Sequence, residues 1–391
     1  SLLAKPFAQY IYSKIQKDSR QALATQDAIL QNLIKNGRKT VFGRGHKLDD
    51  VNTYEEFKKA VPIRDYEQFR PYLTKIKQGK HNILWKGQPL YLAKTSGTTS
   101  GAKYIPISKE SISNHIDTAR NALLCYMSET GNNRFASGKM IFLSGSPTLE
   151  RVGGIPTGRL SGIVNHHVPR YLRTNQLPSF ETNCMEEWEA KLDQIVTETI
   201  DQDMTLISGI PPWMQMYFAE LEKKTGKKIK DIFPEFSVMV QGGVNFEPYR
   251  AKLFESIGKK IDTIELYPAS EGFFAFQDSQ KDEGLLLNSD SGIFYEFVPA
   301  EEITREHPTR LTLRNVELNR NYVLIISSNA GLWGYNLGDT VKFVSLDPYR
   351  LVVTGRIKHF ISAFGEHVIG EEVEQSMMET ALQEQVRIVE F

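Results

Sequence analysis

The chain is organised around the stretch Thr95-Ser96-Gly97-Thr98-Thr99-Ser100-Gly101-Ala102-Lys103. It follows an apolar run at 90–93 and precedes a β-rich run at 104–107, so the sequence predicts a loop between two strands. Glycine tolerates positive φ and has no side chain to block approach, which lets such a loop turn several backbone N–H groups toward one point. Hydroxyl groups add donors, and Lys103 adds a positive charge. We therefore expect the loop to bind a polyphosphate.

The same loop has an ordinary alternative, because clusters of Ser, Thr and Gly between strands are often simple turns. A P-loop is excluded by its spacing, since that motif needs four residues between its glycines and then Gly-Lys-Ser/Thr at the start of a helix. Here three residues separate Gly97 from Gly101, and Ala102 intervenes before Lys103. Pro106 follows in a β-like run, where the P-loop would open a helix.

Composition limits the classes of function. The 391 residues carry 47 basic and 47 acidic side chains, and this balance argues against a general nucleic-acid or anionic-membrane surface. The two cysteines, Cys125 and Cys184, exclude a disulfide framework and fit a reducing compartment. Neither a transmembrane run nor a signal-peptide core is found, so a cytoplasmic protein is expected. No HExxH or CxxC pattern occurs, which argues against a zinc site at His166 and His167.

Strand and helix patterns alternate between residues 100 and 270, which predicts a parallel or mixed α/β sheet flanked by helices. Ahead of this region, apolar residues recur at helical spacing from Phe7 to Asn36, and Thr53 and Glu56 have capping-box spacing. In such sheets, ligands bind at the carboxyl ends of the strands. Three small-residue loops are expected at those ends, at 95–103, 241–245 and 267–272.

From Phe273 onward short strands dominate, and they predict a small barrel or an antiparallel sheet, with the segment 332–339 as a turn between two strands. The last run, 370–385, is predicted to be a helix, followed by the start of a strand. We expect an amino-terminal unit over 1–354, and the segment 355–391 as a hinge and the beginning of a truncated carboxy-terminal domain. Within the first unit we expect a helical lead-in at 1–90, an α/β core at 91–272 and a β-rich, barrel-like subdomain at 273–354.

Four stretches together match one known pattern. They are the loop Thr95–Lys103, Tyr267-Pro268-Ala269-Ser270-Glu271, Tyr335-Asn336-Leu337-Gly338-Asp339, and the pair Gly355-Arg356. In order and spacing the chain resembles the adenylate-forming superfamily of acyl-CoA synthetases, luciferases and peptide-synthetase adenylation domains. More closely, it is similar to the plant auxin- and jasmonate-conjugating acyl acid–amido synthetases and their bacterial relatives. Each motif alone is weak, and the resemblance depends on all four.

The resemblance implies the multi-layer adenylate-forming fold and an ATP- and Mg²⁺-dependent ligase. Such an enzyme joins a carboxylic acid to AMP as an acyl-adenylate and releases pyrophosphate. It then transfers the acyl group to an amine, here an amino acid. The implied partners are small molecules, and neither the acid nor the oligomeric state follows from the sequence. Candidates for the acid pocket are the segments 144–147 and 153–165 and the helix after Ser108.

The resemblance also implies roles for individual residues. Ser96, Lys103 and Glu271 would be catalytic, and Glu271 would hold Mg²⁺. Tyr267 would stack on adenine, Asp339 would accept the ribose hydroxyls, and Arg356 would add a contact there. The full nucleotide-binding set is Ser96, Gly97, Thr98, Thr99, Gly101, Lys103, Gly242, Gly243, Tyr267, Ser270, Asp339 and Arg356.

The chain departs from the family pattern at three positions. Asn336 stands where Arg is most frequent, Ser362 where many hinges have Lys, and Lys358 where they have Asp. Two alternative functions stay open. One keeps the adenylation step and transfers the acyl group to a thiol of coenzyme A or a carrier protein. The other is a nucleotide-binding relative without turnover.

Overall fold

The structure is a computed structural model that describes residues 4–98, 101–168, 173–357, 361–363 and 366–368. In these residues, helices pack on two larger β-sheets, and a separate two-stranded sheet lies at 361–368. The helices are α1 (Ala4–Ser19), α2 (Ala22–Gly37), α3 (Val41–Gly45), α4 (Tyr54–Ala60), α5 (Tyr66–Lys77), α6 (Ile112–Thr130), α7 (Leu160–Asn165), α8 (Phe180–Asn183), α9 (Trp188–Thr199), α10 (Pro211–Thr225), α11 (Ile229–Ile232) and α12 (Glu247–Ile257). Short 3-10 helices lie at Leu48–Asp50, Arg134–Ala136 and Ala300–Glu302.

The strands follow the same chain order. They are β1 (Tyr91–Thr98), β2 (Gly101–Ile107), β3 (Lys139–Phe142), β4 (Glu150–Val152), β5 (Ile155–Gly158), β6 (Gln176–Leu177), β7 (Met204–Gly209), β8 (Val238–Gly242), β9 (Asp262–Ala269), β10 (Gly272–Phe276), β11 (Leu285–Leu287), β12 (Ile293–Pro299), β13 (Asn321–Ser328), β14 (Tyr335–Leu346), β15 (Tyr349–Arg356), β16 (Ile361–Ala363) and β17 (Glu366–Val368).

The large sheet is half parallel and half antiparallel. Among the described residues its order is β12-β13-β14-β15-β11-β10-β9-β8-β7-β3-β6. Strands β6, β3, β7, β8 and β9 run parallel, as expected for a region in which helices alternate with strands. From β9 onward each neighbour is antiparallel. The predicted mixed α/β architecture is therefore confirmed.

The β-rich region beyond residue 273 differs from one half of its prediction. Strands β10 to β15 continue the large sheet edge to edge, and no closed barrel is present among the described residues. The antiparallel alternative is the correct one. The hydrogen-bonded pairing of β10 with β9, Gly272 opposite Ala269, joins this region to the α/β core. The proposed domain boundaries remain a prediction.

A second, smaller sheet, β2-β1-β5-β4, packs against the large one. Its buried residues Leu92, Ala93 and Ile105 belong to the same apolar cluster as Tyr267 and Tyr335 of the large sheet. Burial of this apolar surface drives the two sheets together. As a result, the β1–β2 hairpin lies beside the place where the large sheet changes from parallel to antiparallel.

Helix boundaries follow local sequence signals, whereas one predicted turn is wrong. The capping box is confirmed, since the Thr53 side chain accepts from the Glu56 N–H and the Glu56 carboxylate accepts from the Thr53 N–H. The periodic run 7–36 forms two helices, because the chain turns at Arg20 and Gln21 between α1 and α2. The segment 335–339, predicted as a turn, forms the start of β14. Tertiary pairing of Tyr335 with Ile326 and of Asp339 with Arg356 overrides the turn-like composition.

Trp333 locks the amino-terminal helices onto the large sheet. Its ring is fully buried, stacks on Phe42 with centroids 5.6 Å apart, and its Nε1 donates to the Leu84 carbonyl at 2.9 Å. Gly37, the last residue of α2, passes so close that a Cβ there would lie 2.5 Å from two carbon atoms of the ring. Only glycine fits between this helix end and an indole that its own hydrogen bond holds in place.

Gly37→Ala is therefore expected to lower the free energy of unfolding by about 1–3 kcal/mol, the usual penalty for overpacking a core. Gly45→Ala is the matched control, since a Cβ at Gly45 meets no atom within 4 Å and its φ is not positive. Urea unfolding of the two variants measures the difference. Equal stabilities would contradict the proposed contact with Trp333.

Candidate functional site

The predicted phosphate loop is a tight hairpin whose strands extend further than the sequence pattern indicates. Strand β1 reaches Thr98 and β2 begins at Gly101, with Thr95 opposite Lys103. The backbones of Ser96, Gly97 and Thr98 thus belong to β1, and Thr99 lies outside the described residues. The register shifts between Thr95 and Thr98, so the pairing of β1 with β2 is irregular in that segment. Such irregularity frees backbone N–H groups to point away from the sheet.

Lys103 lies where the hairpin meets the large sheet. Its Nζ is 5.5 Å from the centre of the Tyr66 ring, and the Tyr66 hydroxyl accepts from the Tyr104 N–H at 2.9 Å. Helix α5, which begins at Tyr66, thereby fixes the direction of β2 at this point. Burial raises the pKa of both Glu271 and Asp339, and the positive charge of Lys103 opposes that rise at each carboxyl. The hairpin therefore presents its cation to both carboxylates.

Ser270 and Glu271 form the two-residue turn between β9 and β10. The turn is held from behind by Asn114 of α6, which accepts from the Phe273 N–H at 2.7 Å and donates to the Phe273 carbonyl at 3.2 Å. Asn114 is itself buried. A buried side chain that satisfies both backbone groups of one residue leaves this turn little freedom. The backbone that carries Glu271 is therefore held in place.

Two tyrosine hydroxyls link this turn to β14. Tyr335 donates to Glu271 Oε1 at 3.1 Å, and Tyr267 donates to Asp339 Oδ2 at 2.9 Å. The other Asp339 oxygen, Oδ1, accepts from Arg356 Nε at 2.8 Å, from the neighbouring strand β15. The motifs Tyr267–Glu271 and Tyr335–Asp339 are thus in direct contact although they are far apart in sequence.

The environment of the two carboxylates shifts their pKa values in the same direction. Burial raises the pKa of Glu271, and Lys103 and the Tyr335 hydroxyl act against that rise. Burial also raises the pKa of Asp339, opposed chiefly by the Arg356 guanidinium. The Asp339 carboxylate in turn raises the pKa of Arg356, which favours the charged form of that guanidinium. The site is a small, balanced arrangement of two cations and two carboxylates.

The glycine pair at the end of β8 lies on the neighbouring strand. Gly242 pairs with Leu266 of β9, and a Cβ at Gly242 would collide with the Leu266 carbonyl. Gly243 has a φ of +85°, which side chains rarely tolerate. Both glycines are required by the backbone here, and they leave the end of β8 without side chains next to Leu266 of β9.

Several predicted residues thus meet in the structure. Three further residues that were not predicted as site residues contact them. Lys103, Tyr267, Glu271, Asp339 and Arg356 come together, and Gly242, Gly243 and Ser270 lie on adjacent strand ends. The missed residues are Tyr66, Asn114 and Tyr335, whose side chains orient the predicted ones. Tyr335 is the first residue of the motif Tyr335–Asp339, so the sequence did contain a signal for it. Tyr66 and Asn114 act through tertiary contacts that leave no local pattern.

Part of the candidate acid-pocket region is rigid. The Ser144 carbonyl, at the end of β3, accepts from buried Lys191 Nζ at 2.9 Å, and the Gly145 N–H donates to Ser161 Oγ at 3.1 Å. His166 Nε2 lies 2.7 Å from the Pro147 carbonyl. The segments 144–147 and 153–165 therefore pack on each other at the carboxyl edge of the parallel strands. The His166 ring is thereby fixed against the segment 144–147.

Two family models match the sequence. Residues 11–177 match the GH3 family N-terminal domain, and residues 286–356 match the GH3 family central domain. Together the two matches cover more than half of the chain.

Individual relatives are distant. The indole-3-acetic acid-amido synthetase GH3.15 of Arabidopsis thaliana is 25% identical over 56% of this chain and 36% of that protein. The jasmonoyl-L-amino acid synthetase JAR4 of Nicotiana attenuata is 21% identical over 83% of this chain and 67% of that protein. The chain thus spans only part of these relatives.

The fold is also found in solved structures. The acyl acid amido synthetase AtGH3.15 superposes with a TM-score of 0.81 at 15% identity, over 97% of this chain and 75% of that one. A 2-hydroxyisobutyryl-CoA ligase superposes with a TM-score of 0.58 at 11% identity, over 90% of this chain and 79% of that one. At these identities the likeness shows the fold.

His115, next to Asn114 on α6, gives the support of the site a pH dependence. The ring is 4% exposed, its Nδ1 has no partner among the described residues, and burial lowers its pKa to about 4. In the unfolded chain the pKa of histidine is about 6.5. Between these values the unfolded chain binds a proton that the folded chain does not, so folding is disfavoured as the pH falls.

We expect the free energy of unfolding to fall by about 3 kcal/mol between pH 6.5 and pH 4 through this group alone. His115→Leu removes that contribution, so its stability declines less steeply with acid than that of the wild type. Urea titrations across the range measure both slopes, and His81→Gln on an exposed loop serves as control. Parallel curves for the wild type and His115→Leu would contradict a neutral, buried His115.

Proposed function

This chain belongs to the GH3 family, and from that membership we propose that it activates a carboxylic acid with ATP and transfers the acyl group to the amine of an amino acid. In the first step a carboxylate oxygen of the acid attacks the α-phosphorus of ATP. The bond from that phosphorus to the bridging oxygen breaks and pyrophosphate leaves. In the second step the amine attacks the acyl carbon, AMP leaves and an amide forms.

One observation carries the proposal: four segments far apart in sequence bring Lys103, Glu271, Asp339 and Arg356 to one place. The first step requires an anion to attack an anion, so its barrier is largely electrostatic. Fixed cations and donors aimed at the phosphates lower such a barrier without reorganisation during the reaction. A polyphosphate and a ribose fit this set of groups better than a neutral substrate would.

The proposed roles follow the chemistry of each side chain. Ser96, Thr98, Thr99 and Lys103 bind the β- and γ-phosphates, helped by backbone N–H groups of Gly97 and Gly101. Ser270 donates to the α-phosphate. Asp339 accepts the ribose hydroxyls, and Arg356 adds a contact there. Tyr267 stacks on adenine, and Gly242 and Gly243 allow the base to approach the backbone.

Glu271 fits Mg²⁺ by its chemistry, because a carboxylate oxygen is the ligand that this hard ion prefers. In the described part of the chain, no group of three or more His, Cys, Asp or Glu side chains could hold a metal ion by itself. Mg²⁺ usually takes one or two carboxylates and completes its shell with water and phosphate oxygens, so a single Glu271 would be sufficient. When bound, the ion would neutralise charge on the phosphates.

The compartment and the partners are also proposals. Cys125 and Cys184 are both free thiols, which supports a reducing, cytoplasmic environment. Among the described residues, no helix has both the length and the apolar composition that crossing a bilayer requires. The proposed partners are a small carboxylic acid and an amino acid, with no nucleic acid.

Lys103→Ala is expected to weaken MgATP binding about tenfold, because a charge-assisted hydrogen bond to a terminal phosphate is lost. AMP lacks those phosphates, so its affinity should change by less than about twofold. Titration calorimetry with both nucleotides measures the difference. Lys94→Ala is the control, since Lys94 lies on the same hairpin but pairs with Glu150 at 3.0 Å. Equal losses for MgATP and AMP would remove Lys103 from the terminal phosphates.

The function itself is tested by ATP–pyrophosphate exchange with a panel of aryl and alkyl acids. We expect exchange that depends on one class of acid. Product analysis with amino acids and with coenzyme A then separates an amide from a thioester. Exchange followed by thioester formation would contradict the amine acceptor. Nucleotide binding without exchange for any acid would contradict turnover.

A further inference from the structure

The two central motifs exchange tyrosine hydroxyls. Tyr267 begins one motif and donates to Asp339, which ends the other, at 2.9 Å. Tyr335 begins the second motif and donates to Glu271, which ends the first, at 3.1 Å. Each motif thus contributes one carboxylate and the hydroxyl that orients the other motif's carboxylate. Neither hydroxyl is needed for the roles already proposed.

Both rings are held rigidly. Tyr335 is 1% exposed and packs edge-on against Phe69, with centroids 5.6 Å apart. Tyr267 is 7% exposed and packs edge-on against Phe274, with centroids 5.1 Å apart. A hydroxyl on a ring that cannot move fixes the position of its acceptor, and this kind of support keeps a binding group in its productive geometry.

The backbone of Tyr335 is clamped as well. Arg64, just ahead of α5, donates from its N–H to the Gly334 carbonyl at 2.9 Å and accepts at its carbonyl from the Asn336 N–H at 2.7 Å. These two hydrogen bonds flank Tyr335 on both sides. The start of β14 is thereby bound to the amino-terminal helices. The backbone that carries Tyr335 is held in place, which fixes the position of its hydroxyl.

The acceptor atoms leave room for a ligand at each carboxylate. An ionised carboxylate has two oxygens with about four lone-pair sites. Tyr335 holds Oε1 of Glu271, and Tyr267 and Arg356 each take one site on Asp339. No other described residue bonds to Asp339, which leaves two sites there, as many as a ribose diol requires. At Glu271 the hydroxyl on Oε1 sets the direction of the whole carboxylate.

We propose that Tyr335 and Tyr267 are positioning residues with separable effects. Tyr335 orients Glu271 toward the metal of MgATP, and Tyr267 orients Asp339 toward the ribose hydroxyls. This inference rests on the proposed function, because it assigns a ligand group to each carboxylate. The alternative is that both hydrogen bonds serve stability alone, in which case removing either one affects all nucleotides equally.

Tyrosine-to-phenylalanine changes isolate the hydroxyls, since the buried rings and any stacking of Tyr267 on adenine are kept. The variants are Tyr335→Phe, Tyr267→Phe and the double variant. The matched control is Tyr54→Phe, because the Tyr54 hydroxyl donates to Glu296 Oε1 at 2.9 Å in a tyrosine–carboxylate pair that joins α4 to β12, away from these motifs. Thermal unfolding verifies that each variant is folded.

Titration calorimetry on each protein measures affinities for AMP, for ATP in EDTA and for MgATP. For Tyr335→Phe we expect the gain in ATP affinity on adding Mg²⁺ to shrink about tenfold while AMP binding changes less than about twofold. For Tyr267→Phe we expect AMP, ATP and MgATP to weaken alike, by about tenfold, with the Mg²⁺ gain unchanged. The effects of the double variant should add.

Several results would overturn the proposal. One is a Tyr335→Phe variant whose Mg²⁺ gain matches that of Tyr54→Phe. Another is a uniform loss for every nucleotide in both variants. The ATP–pyrophosphate exchange activity of the wild type, measured in parallel, distinguishes a failure of the positioning roles from a failure of the proposed reaction. Active wild type with no split between the variants refutes the positioning roles alone. Inactive wild type with the split intact refutes the reaction and keeps the roles.

Discussion

Two carboxylates at the junction of two sheets, the half-buried Glu271 and the buried Asp339, set the main constraint on this structure. Removing Glu271 and Asp339 from water disfavours their charged forms, and burial raises the pKa of each. Lys103, Arg356 and the two tyrosine hydroxyls offset that cost. Buried charges without such partners would be strongly destabilising. The carboxylates therefore persist because four other groups are held against them.

The fold supplies those partners from separate places. The β9–β10 turn carries Glu271 at the point where the large sheet changes direction, and β14 carries Asp339 beside β15. The second sheet brings Lys103 on its β1–β2 hairpin, since both sheets share one apolar cluster. Asn114 of α6 and the backbone of Arg64 hold the turn and the strand from behind. A site of this kind forms only when the sheets pack.

Much of the fold, and most of the residues that meet around Glu271 and Asp339, could be predicted from the sequence, because they lie in local patterns. Periodicity predicts the parallel strands, the Thr53–Glu56 spacing predicts its cap, and small-residue loops predict the strand ends. The prediction that is wrong concerns a segment whose structure depends on tertiary pairing. The segment 335–339 contains Asn, Gly and Asp and so resembles a turn, yet pairing with β13 and β15 makes it a strand. Tyr66 and Asn114 act across the fold, so no local pattern marks them.

The central claim is that these carboxylates and cations form one nucleotide site. A crystal structure of the chain with Mg²⁺ and α,β-methylene ATP tests it most directly. We expect the metal about 2.0–2.1 Å from a Glu271 oxygen, the ribose hydroxyls on Asp339 and the terminal phosphates at the β1–β2 hairpin. A nucleotide bound elsewhere, or one bound here with neither carboxylate in contact with the metal or the ribose, would contradict the account.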